Sequence, residues 1–231
     1  MAKKCYAVRK GNQTGLFYSW DSCKSAIDGY SGAEYRGFQT EEEALEYLRG
    51  NETAINKSTG QRIVVNKPTS ADEVNIYTDG SFKDGKVSFG VFIETMEKRW
   101  SFYGVVDCPQ YASLNNIAGE LIATMVGVQV SIDMGFTKLN IFYDQTGVAS
   151  WYDGSWTARG QLQVIYSSLL NQLRLNHNLK INFNKVKAHN GIEGNVRADK
   201  LAERARNFNH YVDLNAILRG TLTAKDVPLF R

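Results

Sequence analysis

The sequence has 231 residues, enough for one large domain or two smaller ones at roughly 100–200 residues each. Hydrophobic residues make up 43% and charged residues 22%, the balance of an ordinary globular chain, which excludes collagen-like, coiled-coil and wholly disordered readings. The formal net charge of +3, from 27 basic and 24 acidic side chains, permits an acidic partner such as nucleic acid without requiring one.

Residues 1–50 read as a compact small unit. Cys5-Tyr6-Ala7-Val8 and Leu16-Phe17-Tyr18-Ser19 are predicted strands around Gly11 and Gly15, a hairpin signal. A short helix is expected after Asp21 as its N-cap, and residues 33–38 as a third strand. Thr40 and Glu43 are spaced as a capping box for a second helix that Gly50 closes. Three strands and two helices in about fifty residues bury only a small core, so marginal stability is expected here. Residues 51–72 are polar and buried surface is scarce, so they are expected to be a mobile linker.

From Val74 the pattern changes to alternating strands and helices. Residues 74–78, 87–94 and 100–106 are predicted strands, the first two joined as a hairpin through Lys83-Asp84-Gly85-Lys86. Asn115 or Asn116 caps a long helix with Ile117, Leu121, Val128 and Ile132 at helical spacing. Residues 139–143 form a fourth strand, followed by a short helical segment to Trp151. A helix over 161–175, a strand over 181–186 and a helix over 193–206 complete the order β-β-β-α-β-α-α-β-α. That order implies a mixed sheet with helices on its faces. Residues 207–231 stand apart, with a helix expected in 211–218 and no role assigned.

No apolar stretch is long enough to span a bilayer, and the first residues, Met1-Ala2-Lys3-Lys4-Cys5, lack the apolar core of a secretory signal. Three widely spaced cysteines, Cys5, Cys23 and Cys108, offer neither a disulfide framework nor a zinc site. The expectation is a cytosolic protein without membrane partners, with a monomer as the simplest state.

Four acids fall where a sheet edge can gather them. Asp79 lies at the end of the first strand, in Tyr77-Thr78-Asp79-Gly80-Ser81. Glu120 lies in the first turn of the long helix, Asp144 ends the fourth strand and Asp199 rides on the last helix. Alone, Asp-Gly-Ser reads as a turn and Asp199 as a solvated charge. Asp79 and Asp144 on adjacent strands, joined by Glu120 and Asp199 from packed helices, make a site.

Taken together, three motifs resemble ribonuclease H type 1 over residues 74–206. They are the Tyr-Thr-Asp-Gly-Ser strand, the Asn115-Asn116-x-Ala118-Gly119-Glu120-Leu121 helix start, and the run His189-Asn190-Gly191-x-x-Gly194-Asn195-x-x-Ala198-Asp199. The resemblance implies an α/β fold with the mixed five-stranded ribonuclease H sheet and flanking helices. It also implies endonucleolytic cleavage of the RNA strand of RNA–DNA hybrids. The first fifty residues, through Tyr6-Ala7-Val8-Arg9-Lys10-Gly11, Thr14-Gly15, Trp20 and Tyr35-Arg36-x-Phe38, are similar to the N-terminal hybrid-binding domain, a small three-stranded α/β module.

By resemblance, Asp79 bridges two Mg²⁺ (or Mn²⁺) ions, with Glu120 and Asp144 on one side and Asp199 on the other. Such a pair, roughly 3.5–4 Å apart, clamps the attacking and leaving oxygens of phosphodiester hydrolysis. Hard cations favour oxygen ligands, and crowded carboxylates repel one another until a cation arrives. His189 corresponds to a histidine that assists proton transfer or product release. Gly80, Ser81, Asn115, Asn116 and Asn195 match groups that sense the minor groove of a hybrid, while Gln145 stands where Ser or Asn is commoner. In the small module Tyr6, Trp20 and Tyr35 match stacking rings and Arg36 a phosphate ligand. Gly37 replaces a second basic residue, which Lys3, Lys4, Arg9 and Lys10 are expected to offset. Only Thr157-Ala158-Arg159-Gly160 stands where some relatives carry a basic protrusion, so substrate retention is expected to lean on the N-terminal module. Two competing readings are a hybrid-binding protein without catalysis and a nuclease or integrase of the same fold acting on DNA.

Overall fold

The structure is a computed structural model. It describes residues 5–49, 52–55, 62–186, 192–208 and 210–230, with backbone alone at 52–55 and 62–64. The chain divides into two compact units, Met1–Lys67 and Pro68–Arg231.

In the first unit, strands β1 (Cys5–Lys10) and β2 (Gly15–Phe17) precede helix α1 (Trp20–Ile27), strand β3 (Glu34–Phe38) and helix α2 (Glu41–Leu48). The strands form an antiparallel sheet in the order β2-β1-β3. Alternation along β1 divides its side chains between two small cores. Cys5 and Ala7 pack with Phe38 and Ala44 of α2, and Val8 packs with Cys23 and Ala26 of α1. The helix cap differs from expectation: Ser19, not Asp21, is the N-cap, in extended backbone, with its hydroxyl accepting from the Ser22 amide. Asp21 instead lies in the first turn, where its charge complements the helix dipole. The Thr40–Glu43 capping box forms as expected; Gly50 lies outside the described residues.

Within the stretch read as a linker, β4 (Glu52–Ile55) and β5 (Arg62–Val65) pair antiparallel, Glu52 opposite Val65. Its far end is tied into the second unit: the Asp72 carboxylate accepts from Ser70 at 2.7 Å, Thr137 at 2.9 Å and Lys138 at 3.2 Å. These hydrogen bonds hold the Asp72 carboxyl at about 2.

The second unit contains β6 (Glu73–Lys83), β7 (Lys86–Glu94), β8 (Arg99–Asp107), α3 (Asn116–Asp133), β9 (Lys138–Tyr143), α4 (Gly147–Tyr152), α5 (Gln161–Asn176), β10 (Lys180–Lys185), α6 (Glu193–Ala205) and α7 (Leu214–Arg219). The five strands run in the order β10-β9-β6-β7-β8. β7 runs antiparallel to its two neighbours, β6 and β8, while β9 lies parallel to both β6 and β10. This is the mixed five-stranded sheet with flanking helices that the sequence implies.

Strand periodicity assigns the two sheet faces. One carries Val74, Ile76, Val87, Phe89, Val91, Ile93, Leu139 and Ile141, all fully buried in the main core with α3. The other carries Tyr77, Phe92 and Phe142, whose rings lie together, with Gly194 of α6 against Tyr77. Asn115 does not cap α3 with its side chain; it takes a positive φ of 47° with ψ of −131°, backbone that favours glycine. Asn116 begins the helix and reaches across, its Oδ1 accepting from the Phe82 amide at 3.3 Å.

Residues 210–230 run beside β8, the edge strand. Val105 N–H donates to His210 O and Val212 N–H to Val105 O, both at 2.9 Å, and Tyr103 N–H and Phe230 N–H complete the attachment with Pro228 O and Ser101 O. Covering an exposed edge blocks pairing with other chains. Buried Gln129 of α3 anchors the same segment, donating to Ile217 O at 2.9 Å and accepting from the Leu222 amide at 3.0 Å. The helix expected in 211–218 is α7, capped by Asp213 and ended by left-handed Gly220.

Candidate active site

The acid cluster follows from where the strand ladder stops. β6 pairs with β7 as far as Lys83↔Lys86, but its recorded pairs with β9 end at Tyr77↔Phe142. Asp79 lies two residues past Tyr77, and Asp144 two past Phe142. With a period of two, both acids emerge on one face of neighbouring parallel strands. Asp79 is therefore mid-strand, not terminal: β6 runs four residues beyond it to close the hairpin.

Two close backbone approaches bring in the helices. A Cβ on Gly80 would stand 2.2 Å from Gly119 C and O, and one on Gly119 2.5 Å from Gly80 C. Only a glycine pair lets α3 approach β6 this closely, and Glu120 follows directly after. Gly90 is the cross-strand partner of Asp79, and a Cβ there would meet Ala198 O at 2.2 Å. That contact seats α6 on β7 and sets the adjoining Asp199 beside Asp79. Gly90 and the spacer role of Gly119 were not singled out from sequence. The available signal was a glycine inside an otherwise β-branched strand, which marks close backbone approach.

The charges interact strongly. Burial, then the charges of Asp199 and Asp144, push Asp79 up to about 6. Glu120 is only 5% exposed; burial, then the charges of Asp79 and Asp144, raise its carboxyl well above the usual range. The Glu120 and Asp79 carboxyls share a hydrogen bond, while Glu120 Oε2 is buried without a hydrogen-bond partner. All four predicted acids thus meet electrostatically around Asp79. Every donor is a carboxylate oxygen, and the orphaned Oε2 and the mutual repulsion are what a hard divalent cation would relieve. Among the described residues no three His, Cys, Asp or Glu side chains stand preset as a metal cage.

The remaining predicted residues divide. Ser81 accepts a hydrogen bond from Arg206 at 2.5 Å. Asn195 is buried in the first turn of α6, whereas Asn115 and Asn116 are exposed at the start of α3. His189 lies outside the described residues.

In the first unit Tyr6, Trp20 and Tyr35 form a row, with ring centroids 5.5 and 6.0 Å apart; Trp20 is 44% and Tyr35 43% exposed. Arg36 is not brought to that row. Tyr35 pairs with Val8 and Arg36 with Ala7, so alternation sends Arg36 to the opposite face, its guanidinium 5.8 Å from the Phe38 ring. Arg9, expected to help offset the missing charge at Gly37, has its guanidinium 3.8 Å from the Tyr47 ring, and its Nε donates to Tyr47 O. Lys10 is engaged with Glu34 at 2.6 Å, and Lys3 and Lys4 lie outside the described residues.

Residues 71–207, more than half of the chain, match the family model of RNase H, and residues 4–48 match that of the Ribonuclease H1 N-terminal domain. The chain belongs to the ribonuclease H family. It is 23% identical to Ribonuclease H1 of Mus musculus over an alignment covering 85% of this chain and 87% of that protein. The figures for Ribonuclease H1 of Homo sapiens are 22%, 85% and 87%. Ribonuclease H of Saccharomyces cerevisiae is 43% identical over 65 residues, 27% of this chain and 19% of the yeast protein. The N-terminal RNase H domain of a Mycobacterium tuberculosis protein, solved as a fusion with maltose-binding protein, aligns with a TM-score of 0.50 at 18% identity, over 59% of this chain and 95% of that one. That likeness is one of fold.

Proposed function

We propose that the protein hydrolyses the RNA strand of RNA–DNA hybrids by an endonucleolytic, two-metal-ion mechanism, with the first unit tethering the hybrid. One observation carries the reading: in a chain of this family, four carboxylates remote in sequence meet around Asp79, and two of them hold protons far too tightly for ordinary surface acids. Perturbed acids gathered in one place mark a functional site more often than a structural one.

Asp79, Glu120, Asp144 and Asp199 would hold Mg²⁺ or Mn²⁺, which supplies an activated water and stabilises charge on the phosphate. The protein's own part is to hold the oxygens at one point on a rigid strand and two glycine-seated helices. His189 is assigned the later proton transfer or product release, a role suited to a side chain titrating near neutrality. Ser81 and Asn195 lie beside the cluster in sequence and are assigned to minor-groove contacts, with Gly80, Asn115 and Asn116. Tyr6, Trp20 and Tyr35 give the first unit a stacking surface, and Arg36 is assigned a phosphate contact from the opposite face of the sheet. The unpaired thiols of Cys5, Cys23 and Cys108 suit a cytosolic setting. Among the described residues, no helix is long and apolar enough to cross a membrane.

The test is incubation of matched RNA–DNA hybrid, double-stranded RNA and double-stranded DNA with Mg²⁺. Cleavage of the RNA strand in the hybrid alone is expected, and Asp79→Asn should abolish it while sparing binding. Cutting of double-stranded DNA, or hybrid bound but never cut, rejects the reading.

A further inference from the structure

Beyond the acids, the second unit has a cationic groove of about 490 Å³. Lys83 and Lys86 of the β6–β7 hairpin line it, together with Ser88, Arg206 at the end of α6, and Phe208 and Tyr211 of the C-terminal segment. The cations are held in place. Arg206 donates to Ser81 at 2.5 Å and Ser88 at 3.4 Å, and Lys86 donates to the Tyr211 hydroxyl at 2.5 Å. Asp84 and Asp107 lie near enough to Lys86 to act on its charge. Yet among the described residues no ion pair engages Lys83, Lys86 or Arg206. Phe208 is 42% and Tyr211 50% exposed beside them.

Position gives the groove its meaning. Ser81, which Arg206 grips, is two residues beyond Asp79 on the same strand face, and Lys83 is two further. At about 3.4 Å per strand residue, Lys83 stands ~14 Å from Asp79. That is about four base pairs of rise along a duplex. A duplex with its scissile phosphate at the acid cluster therefore has a further backbone phosphate within reach. Cationic side chains fixed by hydroxyls, flanked by exposed rings, are the chemistry that takes a phosphodiester backbone and not a cation or an apolar ligand. Phe208 and Tyr211 lie beyond the region that matches the family, which ends at residue 207.

We propose that this groove is an accessory phosphate-binding site that grips the nucleic-acid backbone a few base pairs from the cut, and that the C-terminal segment completes it. The proposal rests on the hybrid-cleavage reading. It is tested by binding of a labelled hybrid to the full chain across a salt series, without divalent cations so that no cutting is needed. A Trp20→Ala background keeps binding by the first unit from masking the change. Lys86→Gln and Arg206→Gln should each weaken binding several-fold and lower the slope of log affinity against log salt by about 1, with Arg206→Lys keeping the slope. With Mg²⁺ present, KM should rise in the same ratio at unchanged kcat. Unaltered affinity and slope in both glutamine variants overturns the proposal, as does an Arg206→Lys variant as weak as Arg206→Gln, which marks a structural brace. If Arg206→Gln melts early, Lys86→Gln on its exposed strand end decides alone. A wild type that binds through the groove but never cuts refutes the cleavage reading and leaves the groove standing.

Discussion

Replacing Asp79 by asparagine should stabilise the cation-free protein while destroying its activity. The Asp79 carboxyl rises from 3.8 to about 6 in the folded state. A carboxyl raised on folding favours the folded state fully below its unfolded pKa, and that contribution is lost as pH climbs through the folded value. From pH 4 to beyond 6 the wild type therefore loses stability that Asp79→Asn retains. A shift of about 2 units at about 1.4 kcal/mol each sets a ceiling of ~3 kcal/mol at pH 8. For a domain of this size that corresponds to roughly 6–12 °C in Tm. The assay is thermal melting in chelator at pH 4, 6 and 8, repeated with excess Mg²⁺. The gap between variant and wild type should open with pH in chelator, then shrink or reverse with Mg²⁺, which stabilises only the intact site. An asparagine variant that is less stable than wild type at pH 8 in chelator, or a gap indifferent to pH, refutes the crowded-acid reasoning.

Other perturbations test separate parts. Cleavage at subsaturating Mg²⁺ should rise steeply between pH 5 and 7 as the proton leaves Asp79, and excess Mg²⁺ should move the rise to lower pH; a pH-independent Mg²⁺ requirement contradicts it. Gly119→Ala places a Cβ 2.5 Å from Gly80 C, overpacking that costs about 1–3 kcal/mol or more, so both melting temperature and turnover should fall; neither moving would remove the glycine pair from the design. Trp20→Ala in the full chain should weaken hybrid binding by about 1–3 kcal/mol without lowering kcat at saturation, as measured by titration and initial rates. Gln129→Leu leaves Ile217 O and Leu222 N unpaired, at about 1–3 kcal/mol for each buried group, and should loosen the C-terminal segment first, visible as faster hydrogen exchange at Val105 and Val212.

Sequence alone determined the element order of the second unit, the mixed sheet and the candidate acids, because each rests on local signals, whereas the β4–β5 pair went unread in the stretch taken as a linker. Strands show their period of two, the helices their period near 3.6, and Tyr77-Thr78-Asp79-Gly80-Ser81 is a contiguous motif. Local chemistry also placed the Thr40–Glu43 cap, since both partners lie within one turn. Where two local candidates competed, the signal was insufficient: Ser19 took the cap expected of Asp21, and Asn115 adopted a positive-φ backbone without capping α3 with its side chain.

Tertiary structure decided whatever depends on which residues of distant segments touch. The place of Asp79 inside a long strand follows from pairing with β7 that runs on to Lys83↔Lys86 after pairing with β9 has ended, and no residue near Asp79 announces that point. Gly90 opposite Asp79, and Gly119 against Gly80, become spacers only when helices lie on the sheet. Strand register sent Arg36 to the face away from the aromatic row, and Arg9 was taken up by Tyr47. The C-terminal segment had an expected helix but no assigned role because its partners, Gln129, the β8 edge and the cations of the hairpin, lie 80 or more residues away. A chain writes its periodicities into neighbouring residues, whereas contacts between remote residues exist only once it has folded.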